Sequence, residues 1–415
     1  MAKMSRRNRT IFLTVMAAAL MQMVQFALTP GIARIQTEVF PQYPLSVIQT
    51  ALTLPSLFSI VFSLVSSFIT GKGWVSKKAC VVIGLGFITV TSLVAMLFHT
   101  QFWHLCMYSI LIGTGMGFYI PTSASIMFDN FNEEECRMSV GAQSSFINLG
   151  GIIMSVGGGM LASLVWFGGY LMLLIGVPIV IFCFIGIPND KKEKAAAPAA
   201  DPAGQSGRKR RGAAIPLDIF YYAVITFIFL MIYTVCGTNI SSHLQAANVG
   251  NTATAGIAIG VQMAGGVCMG LLFNKVSAKL RDYSLALAFV IVFVGYTIIN
   301  LGQRYLALDF IGIFITGTAI SIIVPQTLFS TSSRVNAANS AAATAIVNTI
   351  FPGLGSFFSP GVFTTLTTAL GGDSTSFRYE FVGIVSLFFG VVLVGTTLYR
   401  SRKEREGRSS AEPAN

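Results

Sequence analysis

Charge is what this chain has least of. Only 10% of its 415 residues are Asp, Glu, Lys or Arg, and only 3 are histidine. Soluble domains carry roughly 25% charged residues to stay wetted, so a water-facing globular fold is excluded. The six cysteines (Cys80, Cys106, Cys136, Cys183, Cys236, Cys268) stand apart, with no Cys-x-x-Cys and no His–Cys cluster. They read as small apolar packing residues, and neither a disulfide framework nor a metal site is expected. Walker loop, nucleophile elbow and metal-ligand spacing are all missing. The sequence therefore predicts no enzyme, no cofactor and no ATP-driven pumping by this chain alone. A membrane sensor or scaffold would need a soluble domain to signal through, and none is legible.

What is present is apolar. The chain is 53% hydrophobic, with 33 Phe and 41 Gly. A bilayer core of about 30 Å takes roughly 20 apolar residues per helix. Twelve such runs can be counted, near 10–33, 44–71, 79–98, 103–128, 139–165, 168–187, 217–240, 252–274, 283–301, 305–329, 339–368 and 377–399. The eighth is rich in glycine, and the eleventh is interrupted at Pro352 and Pro360. The opening MAKMSRRNR and the run after it form the first span, retained: the run is too long for a signal peptide and no small-residue cleavage site ends it.

Lys and Arg favour cytoplasmic loops, and they test the count. With the N-terminus inside, all but three of the 27 basic residues fall on inside segments, the exceptions being Arg34, Arg304 and Arg378. One helix more or fewer would scramble that alternation. The net charge of +11 is then topology plus attraction to anionic lipid, with no nucleic-acid partner implied. The acidic triplet Glu133, Glu134 and Glu135 is expected in a solvated loop. Residues 189–216, rich in Ala, Pro, Gly and charge, cannot bury a core and make a flexible cytoplasmic linker. The expected organisation is a six-helix bundle over 1–188, the linker, a second bundle over 217–400 and a cytoplasmic tail over 401–415. Both termini are then cytoplasmic. The short loops suit a multi-pass protein of a bacterial cytoplasmic membrane, working as a monomer.

The two bundles repeat one another. GTGMGFYIPT from Gly113 is answered by GTAISIIVPQ from Gly317, each with a proline eight residues on. Val75-Ser76-Lys77-Lys78 recurs as Val276-Ser277-Ala278-Lys279, and Thr29 to Gln36 resembles Thr238 to Gln245. Ser144 and Asn148 match Thr344 and Asn348. Every match joins a span to the one six later, as parallel duplicated halves require.

With twelve spans, a basic central loop and parallel halves, the chain resembles the major facilitator superfamily of secondary transporters over nearly its whole length. The loop signature after the second and eighth spans, Gly-x-Leu-x-Asp-Arg-x-Gly-Arg-Arg in that family, is matched by Gly270-Leu271-Leu272-Phe273-Asn274-Lys275-Val276-Ser277-Ala278-Lys279, with Asn274 in the acidic place. The first copy, around Lys72, Lys77 and Lys78, has Gly73 in the acidic place. The resemblance implies that Lys72, Lys77, Lys78, Gly270, Asn274 and Lys275 belong to cytoplasmic latch loops. It also implies an all-α fold of twelve helices in two pseudo-symmetric bundles enclosing a central cavity. Two family patterns are degraded. Ser109 stands where many proton-coupled members have arginine. On the fifth span Gly141, Gly150, Gly158 and Gly159 keep the register of the antiporter glycines, but Met154-Ser155 replaces Gly-Pro. Close helix packing through small residues explains those glycines better.

Polar side chains inside spans face protein or a water-filled cavity. The candidate solute ligands are Gln22, Gln25, Asn148, Tyr233, Asn239, Gln262, Gln326 and Asn348, on helices that the resemblance places around the cavity. Pro55, Pro121, Pro325, Pro352 and Pro360 permit bends. The candidates for coupling or gating are Arg34, His243 and Asp309, with His243 the best-placed titratable group. No acid is expected deep in the cavity, while Arg34 and His243 stand near one mouth, so a cation would lack a counter-ion. The expected cargo is a small neutral or anionic organic solute, such as a carboxylate, sugar acid or steroid-like acid, moved with protons or a counter-transported solute. A multidrug exporter of amphipathic compounds is the alternative.

Overall fold

The computed structural model describes residues 4–188, 217–280, 283–302, 305–332, 343 and 345–409. The linker 189–216, and with it that expectation, lies outside the described residues. All secondary structure among the described residues is helical. Lipid offers no partner for backbone N–H and C=O groups, so a spanning segment must satisfy them internally.

The first span, α1, is broken: Arg6–Ala19 is followed after four residues by Val24–Val39, inclined at 41°. Eleven unbroken or gently bent spans follow. They are α2 (Leu45–Gly71), α3 (Lys77–Leu97), α4 (Phe102–Asn130), α5 (Glu133–Leu164), α6 (Gly168–Gly186) and α7 (Leu217–Ala246), then α8 (Thr252–Leu280), α9 (Tyr283–Leu301), α10 (Leu306–Ser332), α11 (Ile346–Ala369) and α12 (Thr375–Ser409). Counted with the bent pair as one span, twelve helices are long and apolar enough to cross a membrane. This is a multi-pass membrane protein.

Several local differences from the sequence expectation have physical causes. The break in α1, at residues 20–23, is filled by α5, and Pro30, which lacks an N–H, falls in the short turns that follow it. A Cβ on Gly150 would overlap the backbone of Leu20, and one on Gly158 that of Ala27. The α5 glycines, in register with an antiporter pattern, thus have a packing role against the irregular part of α1. The acidic triplet is no loop: it opens α5. Asn132 accepts from the Glu135 N–H at 2.9 Å, and the Glu135 carboxylate accepts from the Asn132 N–H at 3.2 Å, a reciprocal cap. In α11 the prolines leave the helix intact but widen it into π turns at Ile346–Ile350 and Pro360–Thr364. Residues 401–409, expected as tail, continue α12.

By internal contacts the chain falls into two compact units: Met1–Leu217 with Gly250–Gly260, and Asp218–Val249 with Val261–Asn415. Within each, the repeated Gly-Thr has the same task. A Cβ on Gly113 of α4 would overlap the Pro55 carbonyl of α2, and one on Gly317 of α10 would overlap the Gln262 carbonyl of α8. The fourth helix of each half presses its backbone onto the second, and only glycine permits it. Gly317→Ala is accordingly expected to destabilise the fold by about 1–3 kcal/mol, the cost of forcing a methyl into a packed contact. Thermal unfolding of the purified variant beside Gly361→Ala, where a Cβ meets nothing within 4 Å, checks this. Equal melting of the two would refute the contact.

Candidate functional site

Lipid makes a buried polar group expensive unless it is bonded, so the bonding of each polar side chain indicates its task. In the second unit, Asn239 and His243 lie one turn apart on the same face of α7. His243 is 1% exposed and engaged at both ring nitrogens: Nε2 meets Asp309 Oδ1 of α10 at 3.3 Å, and Nδ1 meets Thr375 Oγ1 of α12 at 3.1 Å. Asp309 is fully buried, and its Oδ2 has no hydrogen-bond partner among the described residues. Arg378 of α12, 2% exposed, donates from Nη1 to Asn239 Oδ1 at 2.6 Å and from Nε to Thr367 Oγ1 of α11 at 3.2 Å. The Tyr379 ring stands edge-on to His243 at 5.3 Å, and its hydroxyl donates to the Cys236 carbonyl at 3.3 Å. Helices α7, α10 and α12 are thus joined by one polar cluster and α7, α11 and α12 by a second, at the end of the unit that carries the α11–α12 turn.

A second feature lies along the same unit. Among the described residues, two side-chain amide nitrogens are buried without an acceptor: Gln262 Nε2 on α8 and Asn348 Nδ2 on α11. Gln262 is 1% exposed. Asn348 sits in the π turn that opens α11, and its Oδ1 accepts a long bond from Thr327 at 3.4 Å. The Tyr233 hydroxyl is also buried and unpartnered, its ring stacked on Phe229. Unmade bonds of this kind cost about 1–3 kcal/mol each.

The remaining predicted residues divide. Gln326 is not among the unpartnered groups: its Oε1 accepts from Ser277 at 2.8 Å. In the first unit a different pair is bonded, Lys77 and Ser125, 2.7 Å apart. Asn148 donates back to the Ser144 carbonyl of its own helix at 2.9 Å. Gln22 and Gln25 sit half-buried in the broken stretch of α1. Arg34 donates from Nη1 to the Ala162 and Ser163 carbonyls, both at 2.9 Å, and its Nε pairs with Glu38 at 2.8 Å. Its charge therefore caps the C-terminal end of α5, where helix carbonyls lack intrahelical partners.

In the loop after α2, Gly73 takes a left-handed φ of 71°, a conformation that residues with side chains seldom adopt. Lys77 pairs with Asp129 at the end of α4. Lys72 lies over the Phe68 and Trp74 rings, and Lys78 over Phe184. Gly270 packs with open space before Ser321, and Lys275 is exposed on α8. The Asn274 side chain lies outside the described residues.

Arg378, its partner Thr367 and the His243 partner Thr375 were not legible as site residues. The signal was available for Arg378, a charge lying inside the twelfth apolar run, which is a functional candidate by default.

The fold and its interior define a polytopic helical membrane protein with bonded charges and unpartnered amides inside it. The sequence matches the Major Facilitator Superfamily over residues 10–360, and the chain belongs to that family. Its fold is shared by solved structures of low identity. The nucleoside transporter NupG is 14% identical, with a TM-score of 0.70 over 94% of this chain and 98% of that one. The POT family transporter PepTSo is 11% identical, with a TM-score of 0.72 over 95% and 98%. The human organic anion transporter MFSD10 is 12% identical, with a TM-score of 0.61 over 93% and 100%. No curated protein sequence matches at a significant level.

Proposed function

We propose that this protein is a secondary active transporter carrying a small neutral or anionic organic solute by alternating access. In this reading it is a monomer in a bacterial cytoplasmic membrane, with both termini in the cytoplasm. The observation that carries it is the pair of unpartnered amide donors, Gln262 Nε2 and Asn348 Nδ2, accompanied by the Tyr233 hydroxyl. Three donors without acceptors suit a solute rich in oxygen. The sign of the charge argument supports the same class. Among the described residues Asp309 is the one fully buried acid, and it is committed to His243. With the cation Arg378 buried in the same unit, the described interior offers a cationic solute no net attraction, and taking a bare cation out of water is costly.

The test is a thermal-shift screen of the purified protein against carboxylates, sugar acids, nucleosides and organic cations, followed by counterflow of the hits in liposomes. A neutral or anionic hit that shows saturable counterflow supports the reading. Exclusive stabilisation by amphipathic cations, with altered drug tolerance in cells, would replace it with a multidrug exporter.

A further inference from the structure

We propose that His243 and Asp309 form a proton-binding couple, loaded through the Thr375 hydroxyl from the α11–α12 turn, and that this proton drives the carrier. The inference rests on the transport reading above for its purpose, though not for its chemistry.

The geometry isolates these two side chains as the groups free to change their proton count. Among the described residues, the charged and tyrosine neighbours on the packed elements are bonded or exposed. On α12, Arg378 is bonded to Asn239 and Thr367, and the Tyr379 hydroxyl gives its proton to the Cys236 carbonyl. On α9, the Tyr296 hydroxyl donates to the Ile232 carbonyl at 2.7 Å. On α7, Asn239 already receives Arg378. From the turn, Asp373 is exposed. Residues 303 and 304, before α10, lie outside the described residues. What remains is an imidazole with a partner at each nitrogen and a carboxylate with one oxygen engaged and one bare.

Thr375 suits both proton counts. A hydroxyl can donate or accept, and it rotates to do either. With the couple unloaded, Asp309 is a carboxylate, His243 is neutral with its proton on Nε2 toward Asp309 Oδ1, and the Thr375 hydroxyl donates to Nδ1. In loading, the Thr375 hydroxyl passes its proton to Nδ1 and takes another from water at the turn. The Nε2 proton moves onto the Asp309 carboxylate. The ring is then again neutral, with its proton on Nδ1, donating to the Thr375 oxygen. One proton has entered from water, no contact has been rebuilt, and the charge of the couple has risen from −1 to 0.

The position of Thr375 supports entry from that side. It is the first residue of α12, 8% exposed, and is preceded by exposed Asp373 and Ser374. His243 and Asp309 behind it are 1% and 0% exposed. A proton reaching the couple from the turn therefore passes the hydroxyl.

The experiment compares proton uptake by purified wild type, Asp309→Asn, His243→Gln, Thr375→Val and Thr375→Ser after acid pulses between about pH 5 and 8, the range in which a histidine ordinarily changes charge. The carboxylic-acid stretch is followed by infrared spectroscopy without any solute. Wild type is expected to gain a buried carboxylic-acid band on acidification that Asp309→Asn lacks, and to take up one proton more than Asp309→Asn or His243→Gln. Thr375→Val is expected to slow that uptake at least about tenfold, and Thr375→Ser to restore it. Should one variant fail to fold, the remaining variants and the wild-type band still decide. An identical band and proton count in wild type and Asp309→Asn would overturn the couple, and equal uptake rates in Thr375→Val and wild type would overturn the entry route. In liposomes, wild-type solute uptake should follow an imposed pH gradient. Counterflow that ignores the gradient would sink the coupling role while leaving the transport reading standing. A pH-dependent band in a protein that moves no solute would do the reverse.

Discussion

Gln262→Leu is expected to raise the thermal stability of the empty protein while cutting transport at least about tenfold, a change of roughly 1.4 kcal/mol in solute recognition. The two effects have opposite signs because the Gln262 amide is buried without an acceptor for its Nε2. Removing a stranded polar group and keeping its volume apolar relieves a cost of about 1–3 kcal/mol. A group that only packed or held helices together would lose stability on removal. Asn348→Leu should behave alike, with a smaller gain in stability, since its Oδ1 retains the long bond from Thr327. Thermal unfolding and liposome counterflow on the same preparations check both. Loss of stability together with unchanged counterflow would remove these residues from the site. Asn148 serves as the contrast: it is already satisfied by its own helix, although it occupies the repeat position of Asn348.

Arg378→Met is the second large effect. The methionine keeps much of the volume and removes the guanidinium, leaving Asn239 Oδ1 and Thr367 Oγ1 without their donor. Hydrogen bonds to charged groups contribute about 1.5–3 kcal/mol each. Both partners are fully buried, so the expected destabilisation is about 3 kcal/mol, offset in part by no longer burying a cation. Arg378→Lys should not rescue it, because an ammonium cannot reproduce the planar fork that reaches two helices. A double-mutant cycle with Asn239→Ala is expected to give a coupling energy of about 1–3 kcal/mol. Additive effects would mean that the 2.6 Å contact contributes nothing, and that helix 12 is held by packing alone.

Much of this architecture was legible before any coordinates. Spans follow from the length of apolar runs, because a lipid interior admits only helices with every backbone group satisfied. The repeat followed from motif spacing, and the pairing of Gly113 with Gly317 acquired its physical meaning when each was seen pressed against the second helix of its own half. His243 and Asp309 were identifiable as rare titratable groups in apolar surroundings.

Their partnership was not identifiable, because 66 residues separate them and no periodicity reaches that far. Arg378 stood out as one of three cations off the cytoplasmic segments, but its task showed only with its buried partners on α7 and α11. Arg34 met the opposite fate: a charge that sequence alone offers for coupling turns out to satisfy the carbonyls ending α5. The break in α1 was also out of reach, since it depends on glycines of α5 more than a hundred residues later. Composition and period determined how many helices there are, and the repeat determined that they come as two like sets of six. Which polar atoms are bonded and which are left waiting was decided only in three dimensions, because in lipid the worth of a polar group is set by the neighbour that meets it.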